Sequence, residues 1–560
     1  MEIRTINEGF SVSDQISLDD LKTLADKNIK SIICNRPDHE ADGQTSVEEL
    51  EQKAAEYGIE IRYQPVVYDT IKESDVHDFE LAFNNSVKPV HAYCRSGLRA
   101  VTLWSLMQVK AGVPAQEVIA TAQAAGFDFS KFQDKFADLM TARKSPVKAE
   151  NIKAYEIVIV GGGAAGISVA SSLLSREPDL KIAIIDPADT HYYQPGFTMV
   201  GRGVFELAAC QRSMDTLIPE KVSWIKAAVS AFDPERNLVT LDTQSQLSYQ
   251  QLVVCPGLVL NWEGIEGLGE TLGKNGVTSN YSPQTAPYTW ELVKQLKKGK
   301  AVFTQPPMPI KCAGAPQKAL YLSADYWLKQ GLLGQDIRIE FCNAGGVLFG
   351  VKEYVPALQS YMDKYQVELS FSHDLVKVDG ANKTAWFRHT NEAKESHLVE
   401  RGFDMLHVCP PQQAPEFIRK SSLADAAGWV DVDRHSLQHK RYDNIWSLGD
   451  VANTPNAKTA AAVRVQAPVV AHNLLSFIKN KTPDAGYNGY GSCPLTVEKG
   501  KIVLAEFGYD GKLLPTFPTF LLDGTKATKA AWFLKTRVLP IVYWDGMLKG
   551  KEWLLATAKD

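Results

Sequence analysis

Residues 157–166 read IVIVGGGAAG, and this stretch decides the fold of most of the chain. Its four β-branched residues predict a buried parallel strand, and the glycines that follow form a G-x-G-x-x-G pattern. Residues 167–175 then have helical periodicity, and residues 181–185 read as a second strand. In such a unit the glycines permit a tight turn close to a pyrophosphate, and an acid after the second strand accepts from a ribose hydroxyl. The sequence therefore predicts a dinucleotide site at Gly161, Gly163, Ala164, Ala165, Gly166 and Asp186.

The bulk properties predict an intracellular multidomain protein. A chain of 560 residues with 45% hydrophobic content is expected to form about three or four domains. The net charge of -5 argues against binding to nucleic acid. We see no signal peptide and no apolar run of membrane-spanning length, so we expect a cytoplasmic protein or one peripheral on the inner face of the membrane. The eight cysteines should then be reduced at rest, and we predict no metal site.

Residues 1–145 have alternating helical and strand patterns, which predict a small α/β domain. A strand ending at Tyr93 leads into CRSGLR at residues 94–99, followed by an apolar helix. A thiol at this position lies where backbone amides and the helix dipole stabilise a thiolate, and two arginines add to that effect. The candidate catalytic residues of this domain are therefore Cys94, Arg95 and Arg99.

This loop has two chemical interpretations and a structural one. Cysteine phosphatases have one residue more between Cys and Arg than the four found here, and Ala100 stands where a leaving-group hydroxyl is often found. The shorter loop suits a terminal sulfur atom carried as a persulfide on Cys94, although a buried structural cysteine remains an alternative. The loop resembles that of rhodanese-type sulfurtransferases, and the domain resembles the phosphatase-like sulfurtransferases found as bacterial fusion partners.

After a predicted linker at residues 146–153, the α/β pattern indicates two Rossmann-like domains. We predict an FAD-binding domain at residues 154–269 and 416–490, interrupted by a second domain at residues 270–415, with a C-terminal segment from residue 491. The aromatic loop around Gln194 suits a flat ring, and the turn ending at Gly257 resembles a turn of two-dinucleotide flavoproteins. The strand ending at Gly449 and Asp450 resembles a flavin motif, which implies that Asp450 binds the ribityl chain.

The second domain lacks the glycine fingerprint that a nicotinamide-using reductase needs. Its first strand leads instead into PPMPIKCAGAP at residues 306–316. We therefore expect electrons from a source other than NAD(P)H, and a reactive Cys312 presented to the flavin. Lys311 and the start of the following helix should lower the pKa of this thiol.

Five motifs in order resemble the sulfide:quinone oxidoreductase family, in the branch nearest the mitochondrial enzyme. They are YQPGFTMVG at 193–201, PIKCAGAPQK at 309–318, LFGVK at 348–352, AGWVDVD at 427–433 and KTAAAV at 458–463. The resemblance implies FAD as cofactor, with Lys458 and Thr459 among the residues that bind it. It also implies a two-thiol reaction in which sulfide attacks a cysteine disulfide or trisulfide, sulfane sulfur leaves to an acceptor thiol, and two electrons pass through the flavin to quinone.

One position departs from the pattern that this resemblance implies. Cys312 matches the family cysteine at the flavin, but the second cysteine is expected directly after Gly-Asp, where this chain has Val451. Three outcomes remain open: another thiol substitutes, an external persulfide or low-molecular-weight thiol does so, or sulfide is not oxidised by this route. The candidate substitutes, each in an ordinary core or loop context, are Cys210, Cys342, Cys409 and Cys493.

The C-terminal segment interleaves aromatic and basic residues between positions 517 and 553, which favours peripheral attachment to a membrane over a terminal helix pair packed on the core. The function we predict is bifunctional: FAD-dependent oxidation of sulfide or a persulfide with electrons passed to quinone, and sulfur transfer on Cys94. The alternatives are a cysteine phosphatase fused to an FAD oxidoreductase, or a non-catalytic flavin redox sensor. A homo-oligomer is possible.

Overall fold

The computed structural model describes residues 1–41, 43–68, 71, 73–84, 86–110, 113–127 and 152–554. The chain forms two compact units, Met1–Asn151 and Ile152–Asp560. Most of the predicted linker, residues 146–151, lies outside the described residues. The finer domain boundaries within the second unit stay predictions.

The first unit is a five-stranded sheet with helices on both faces, which confirms the predicted α/β class. Its strands are β1 Arg4–Asn7, β2 Phe10–Ser13, β3 Ser31–Cys34, β4 Glu60–Tyr63 and β5 Val90–Tyr93. Its helices are α1 Asp20–Asp26, α2 Val47–Ala55, α3 Glu73–Asn84, α4 Leu98–Lys110 and α5 Ala115–Ala124. The sheet order is β1-β2-β5-β3-β4, and every pair except β1 with β2 is parallel.

The alternation of side chains along β3 explains why both faces are covered. Ile32 and Cys34 pack with residues of α1 and α2, whereas Ile33 packs with residues of α3, α4 and α5. Because β3 and β5 are parallel neighbours, their carboxyl ends meet at one edge, where the backbone N–H of Asn35 donates to the carbonyl of Tyr93 at 2.9 Å. The loops that follow the two strands therefore lie side by side.

The second unit holds the remaining strands. In chain order they are β6 Lys153–Val160, β7 Ile182–Ile185, β8 Thr190–Tyr192, β9 Gln211–Ser213, β10 Ser223–Ile225, β11 Val229–Asp233, β12 Leu238–Leu241, β13 Gln246–Val254, β14 Val259–Leu260, β15 Val277–Thr278, β16 Gly299–Gln305, β17 Ile337–Asn343, β18 Glu368–Phe371, β19 His373–Asp379, β20 Thr384–Thr390, β21 Ser396–Gly402, β22 Met405–His407, β23 Gln412–Gln413, β24 Ile445–Ser447, β25 Gly491–Glu498, β26 Lys501–Phe507 and β27 Ala527–Thr528.

The helices of the second unit follow the same order. They are α6 Ala164–Arg176, α7 Phe197–Val200, α8 Ala286–Gln295, α9 Ala315–Lys329, α10 Val355–Lys364, α11 Glu416–Arg419, α12 Ala460–Ile478, α13 Lys529–Phe533 and α14 Leu539–Ile541. Two wide π-type turns, Leu534–Val538 and Val542–Gly546, flank α14.

Two sheets form the body of this unit, and the first is parallel except that β12 is antiparallel to both β11 and β13. The first has the order β10-β7-β6-β13-β12-β11, with β24 pairing parallel to β13. The sheet is thus assembled from two stretches of chain that are nearly two hundred residues apart. The second sheet, β15-β22-β16-β17-β18, is parallel throughout and lies in the stretch between them. The antiparallel sheet β25-β26-β27 packs on α9 of this second layer.

The turn between β6 and α6 needs its glycines for close backbone contacts. A Cβ at Gly166 would lie 1.8 Å from the carbonyl oxygen of Gly161, so the helix can approach the strand only without a side chain. Gly161 itself has φ +104, a conformation that side chains with a Cβ rarely adopt, and its own Cβ would meet the Cys255 carbonyl at 2.5 Å. These contacts confirm the predicted strand–turn–helix unit.

One helix corrects the expectation that no apolar run reaches membrane-spanning length. Within the described part of the chain, α12 is long and apolar enough to cross a membrane by length and composition alone. Its residues Val463, Ala467, Val470 and Leu474 belong to the core that it shares with α6 and the first sheet. Its apolar character is therefore explained by burial, since 56% of the apolar window is buried inside the protein.

Candidate functional site

A cavity of about 410 Å³ in the second unit collects most of the predicted site residues. The predicted residues that line it are Gly163, Ala164, Ala165, Asp186, Gln194, Gly257, Cys312, Gly449, Asp450, Lys458 and Thr459. Gly161 and Gly166 do not line the cavity, because they make the turn behind it. The cavity is thus bounded by both dinucleotide-like halves and by the C-terminal segment.

The end of the cavity at the glycine turn fits the pyrophosphate and ribose of FAD. Gly163 caps α6, and no atom lies within 4 Å of the position that a Cβ would take there, which leaves room for phosphate oxygens at the helix N-terminus. Asp186 is oriented by two backbone donors, the N–H of Gly162 at 2.6 Å and that of Ala188 at 2.8 Å. A carboxylate held in this way can also accept from a ribose hydroxyl.

The opposite wall is formed by residues around Gly449 and Asp450. The Lys458 ammonium donates to the Asp450 carbonyl at 2.6 Å and to the Ala452 carbonyl at 2.9 Å, and it lies 4.3 Å from the centre of the Trp429 ring. Burial lowers the pKa of Lys458 to about 8 and raises the pKa of the Asp450 carboxyl. Lys458 therefore fixes the backbone that presents Asp450 to the cavity.

Cys312 lies in the loop between β16 and α9 in a left-handed backbone conformation, φ +51. Its backbone N–H donates to the Lys458 carbonyl at 2.9 Å, which joins this loop to the wall described above. The ammonium of Lys318 lies 3.0 Å from its Sγ, and the Sγ of Cys493 lies 3.6 Å from it. Left-handed residues other than glycine are uncommon and concentrate at functional sites, where the surrounding contacts hold them.

The two thiols have opposite electrostatic environments. The hydrogen bond to Cys493 and the charge of Lys318 hold the pKa of Cys312 well below its usual range, although burial opposes this. The same hydrogen bond, together with burial, holds the pKa of Cys493 well above its usual range. Cys312 is therefore the thiolate of the pair, and the S–H of Cys493 donates to it.

The lysine that stabilises this thiolate differs from the one expected from sequence. Lys311 turns away from the sulfur and donates to Gln194, while Lys318 reaches Cys312 from the first turns of α9. A second buried ammonium, Lys535 of the C-terminal segment, also lies near the pair. Burial, and then repulsion by Lys318, lower the pKa of Lys535 to about 7.

The second thiol also comes from an unexpected position. Val451, which follows Gly-Asp, is buried in the core beneath the first sheet and does not line the cavity. Cys493 was predicted to lie in an ordinary context, but β25 carries it to Cys312. A Cβ at Gly314 would lie 2.6 Å from the Cys493 Sγ, so this glycine makes the approach possible. Because the contact joins residues 181 positions apart, no local pattern could have indicated it.

Sequence reasoning also missed two polar side chains in the cavity wall. Thr198 and Asn280 line the cavity and are at least nine-tenths buried. The Thr198 hydroxyl and both polar atoms of the Asn280 amide have no hydrogen-bond partner among the residues that the structure describes. Such groups are costly to bury, so they are available to a bound molecule.

In the first unit, the structure places Cys94 directly after β5 and before α4. Its Sγ is buried and accepts from the backbone N–H of Arg99 at 3.4 Å. The Arg99 guanidinium donates to Glu40, whereas Arg95 is exposed to solvent. Of the two predicted arginines, only Arg99 is thus held by the loop and its neighbours.

A glycine-cradled dinucleotide cavity with Cys312 in its wall defines a flavin-dependent oxidoreductase with two dinucleotide-binding folds. The chain belongs to the sulfide:quinone oxidoreductase family, whose members are FAD-dependent. It is 41% identical over 418 residues to the mitochondrial sulfide:quinone oxidoreductase of Dictyostelium discoideum, covering 74% of this chain and 90% of that protein. It is 39% identical over 396 residues to that of Mus musculus, covering 71% and 87%.

Further comparisons match the two units of the chain to different families. Residues 155–289 match a family model described as pyridine nucleotide-disulphide oxidoreductase. Residues 2–111 match the phosphatase-like domain of beta-lactamase hydrolase-like proteins. The solved structure of the sulfide:quinone oxidoreductase from Aquifex aeolicus shares the fold, with a TM-score of 0.59 at 21% identity over 71% of this chain and 92% of that one. The phosphatase-like domain is thus an addition to the oxidoreductase.

Replacing Lys318 by Met should raise the pKa of Cys312, because the thiolate loses the ammonium that lies 3.0 Å away. An opposite charge this close favours the thiolate, so the midpoint of Cys312 alkylation should move to higher pH when the ammonium is removed. The measurement is the rate of alkylation against pH, followed by peptide mass spectrometry of the full chain. Lys297→Met, at an exposed position, is the control, and an unchanged midpoint in Lys318→Met would contradict this assignment.

Proposed function

We propose that the second unit oxidises sulfide, hands the sulfane sulfur to a thiol acceptor and passes two electrons to quinone. The observation that carries this proposal is the contact between Cys312, which lines the cavity, and Cys493, which lies buried behind it between the lining residues Ser492 and Pro494, with Lys318 on the thiolate. The sulfurs are 3.6 Å apart, close enough to join after small side-chain movements. Two S–S bonds of about 2.05 Å around a bent sulfur span about 3.3 Å, so one additional sulfur also fits between them.

We assign the roles of Cys312 and Cys493 in this reaction from the difference between their pKa values. In the oxidised form the two sulfurs are joined, and the hydrosulfide anion attacks the Cys493 sulfur, which breaks the S–S bond. Cys312 leaves as thiolate because the sulfur with the lower pKa is the better leaving group, and Lys318 stabilises its charge. Cys493 now carries the sulfane sulfur as a persulfide. A thiolate acceptor then takes that outer sulfur and leaves Cys493 as a thiol.

When the S–S bond between Cys312 and Cys493 forms again, two electrons leave the thiol pair. The glycine turn, Asp186 and Asp450 would hold FAD, which when bound would supply the two-electron chemistry between the thiols and quinone. In sum, one hydrogen sulfide, one acceptor thiol and one quinone give one persulfide of the acceptor and one quinol, so atoms and electrons balance. The buried ammonium group of Lys318 keeps the cavity attractive to the hydrosulfide anion, since its charge acts in a poorly solvated space.

Anaerobic titration with sulfide, followed by turnover with a soluble quinone, tests the two-thiol assignment. Cys493→Ser should lose turnover by roughly a hundredfold or more, because serine cannot carry a persulfide. Cys409→Ser, another buried thiol of this unit, should stay near wild type. Adding Val451→Cys to Cys493→Ser should restore nothing, since position 451 faces the core. Undiminished turnover in Cys493→Ser, or flavin reduction by NADH alone, would count decisively against the proposal.

For the first unit we propose sulfur transfer on a Cys94 persulfide. The support is the short loop, whose four intervening residues bring the Arg99 backbone N–H to the sulfur at 3.4 Å. A terminal sulfur needs less room than a phosphate group with its three outer oxygens. The buried thiol would accept the outer sulfur of a small persulfide and give it to a second thiol.

The proposed transfer is tested in the full chain without quinone, so that flavin turnover does not contribute. Movement of sulfane sulfur from an organic persulfide to a thiol should fall to background in Cys94→Ser and persist in Cys34→Ser. Cys34 is a suitable control because it is a buried neighbour whose pKa burial raises to about 11. Hydrolysis of phosphate esters that depends on Cys94 and outruns sulfur transfer would favour the phosphatase alternative.

We also propose that the C-terminal segment attaches the protein to a membrane that holds the quinone. Its side chains Phe520, Phe533 and Ile541 are 85%, 63% and 54% exposed, although they are large and apolar. Leu534 and Val542, beside two of them, line the cavity. An apolar surface that continues into the cavity would let a quinone enter from the lipid phase.

Phe533→Glu and Ile541→Glu together should reduce flotation with lipid vesicles and turnover with a long-chain quinone in those vesicles. Turnover with a soluble short-chain quinone should stay near wild type, because the thiol pair is untouched. Leu398→Glu is the matched control, since Leu398 is also 63% exposed but lies on β21, away from this segment. Vesicle binding that survives both substitutions would argue for another attachment surface.

A further inference from the structure

Glu40 lies between two arginines beside the Cys94 loop. One carboxylate oxygen accepts from the Arg99 guanidinium, and the other accepts from Arg36 Nε at 2.7 Å. Arg36 also donates to the Gln15 side chain at 2.9 Å. The carboxylate is brought there by topology, because Arg36 and Glu40 follow β3 while Cys94 follows the neighbouring strand β5.

This arrangement offsets part of the positive charge that Arg36 and Arg99 bring to the loop, while Arg95 is exposed to solvent. Two guanidinium groups share one carboxylate, so the cluster carries one net positive charge instead of two. Burial opposes ionisation of Glu40, but the hydrogen bonds from Arg36 and Arg99 hold its pKa below the usual range, so the negative charge is present at neutral pH. One donor remains available, since Arg99 Nη1 is buried without a partner within the described parts of the chain.

A phosphate-binding loop requires the opposite arrangement. Phosphate esters and thiosulfate arrive with two negative charges, and recognition of such anions relies on a guanidinium that offers both of its arms. Here Glu40 occupies one arm of Arg99 and places a negative charge next to the incoming anion. A donor with at most one negative charge, and with a sulfur atom at its tip, meets no such penalty.

We propose that Glu40 selects the substrate of the Cys94 loop. Its charge favours organic persulfides as sulfur donors and disfavours dianionic thiosulfate and phosphate esters. This inference rests on the proposed sulfur transfer at Cys94. The step is Cys94–S⁻ + RS–SH → Cys94–S–SH + RS⁻: the bond between the two donor sulfurs breaks and a bond to Cys94 forms. No external oxidant or reductant is needed.

The test compares two sulfur donors on the full chain without quinone. For wild type, Glu40→Gln and Glu48→Gln, kcat/KM is measured with a persulfide prepared from the uncharged thiol 2-mercaptoethanol and with thiosulfate, and inorganic phosphate is titrated as an inhibitor. Glutamine keeps an oxygen that can accept from the arginines but removes the charge. Glu48 is an exposed carboxylate on α2 and controls for the change in net charge.

In Glu40→Gln, the ratio of thiosulfate to persulfide kcat/KM should rise by about tenfold, because one close unit charge no longer repels the dianion. Phosphate should inhibit this variant more strongly by a similar factor. Arg36→Gln should move the ratio in the opposite direction, since Glu40 then loses a neutralising partner. Glu48→Gln should match wild type in all three measurements.

The outcomes separate this inference from the function on which it rests. If Cys94→Ser retains transfer, the proposed sulfur transfer fails. If transfer requires Cys94 but the ratio stays constant in both Glu40→Gln and Arg36→Gln, only the selection by Glu40 is overturned. Should Glu40→Gln fail to fold, Glu40→Ala replaces it in the comparison because it removes the same charge, and an unchanged ratio in that variant overturns the selection by Glu40.

Discussion

The oxidoreductase site depends on stabilising one negative charge in a buried place. A thiolate at Cys312 would be costly to bury alone, and the structure supplies an ammonium at 3.0 Å from Lys318 and a thiol donor at 3.6 Å from Cys493. These partners come from α9 and β25, so the site exists only when the second sheet, its helix and the C-terminal sheet have packed together. Separating these elements would leave the charge without its partners, which ties folding to reactivity.

The C-terminal segment lines the cavity with a buried lysine and has an apolar outer surface. Lys318 and Lys535 are both buried and of like charge, and burial together with this repulsion lowers the pKa of Lys535 to about 7. Residues of the same C-terminal segment carry exposed aromatic and aliphatic side chains on the outside. One segment therefore contributes a titratable amine near the thiol pair and an apolar face to its surroundings.

Each unit has a cysteine between a parallel strand and a helix, and the two units differ in the partner of the cation near that cysteine. Cys94 follows β5 and precedes α4, and Cys312 follows β16 and precedes α9, so each thiol lies at the carboxyl end of a parallel strand. In the second unit a lysine directly faces the sulfur. In the first, an arginine is shared with Glu40. The two cysteines thus have equivalent positions in their folds and differ in the partner of the neighbouring cation.

The sequence by itself determined the features that rest on local chemistry. The glycine turn with Asp186 needs a fixed spacing, and Cys312 stands in a proline-rich turn where a nicotinamide enzyme would carry glycines, so both could be recognised within a few residues. Only the tertiary structure decided that Cys493, and not a residue at position 451, completes the thiol pair, and that Lys318 faces it. Those contacts arise from packing between elements far apart in the chain, and side-chain direction at such contacts depends on the register of strands and helices, which local patterns do not fix.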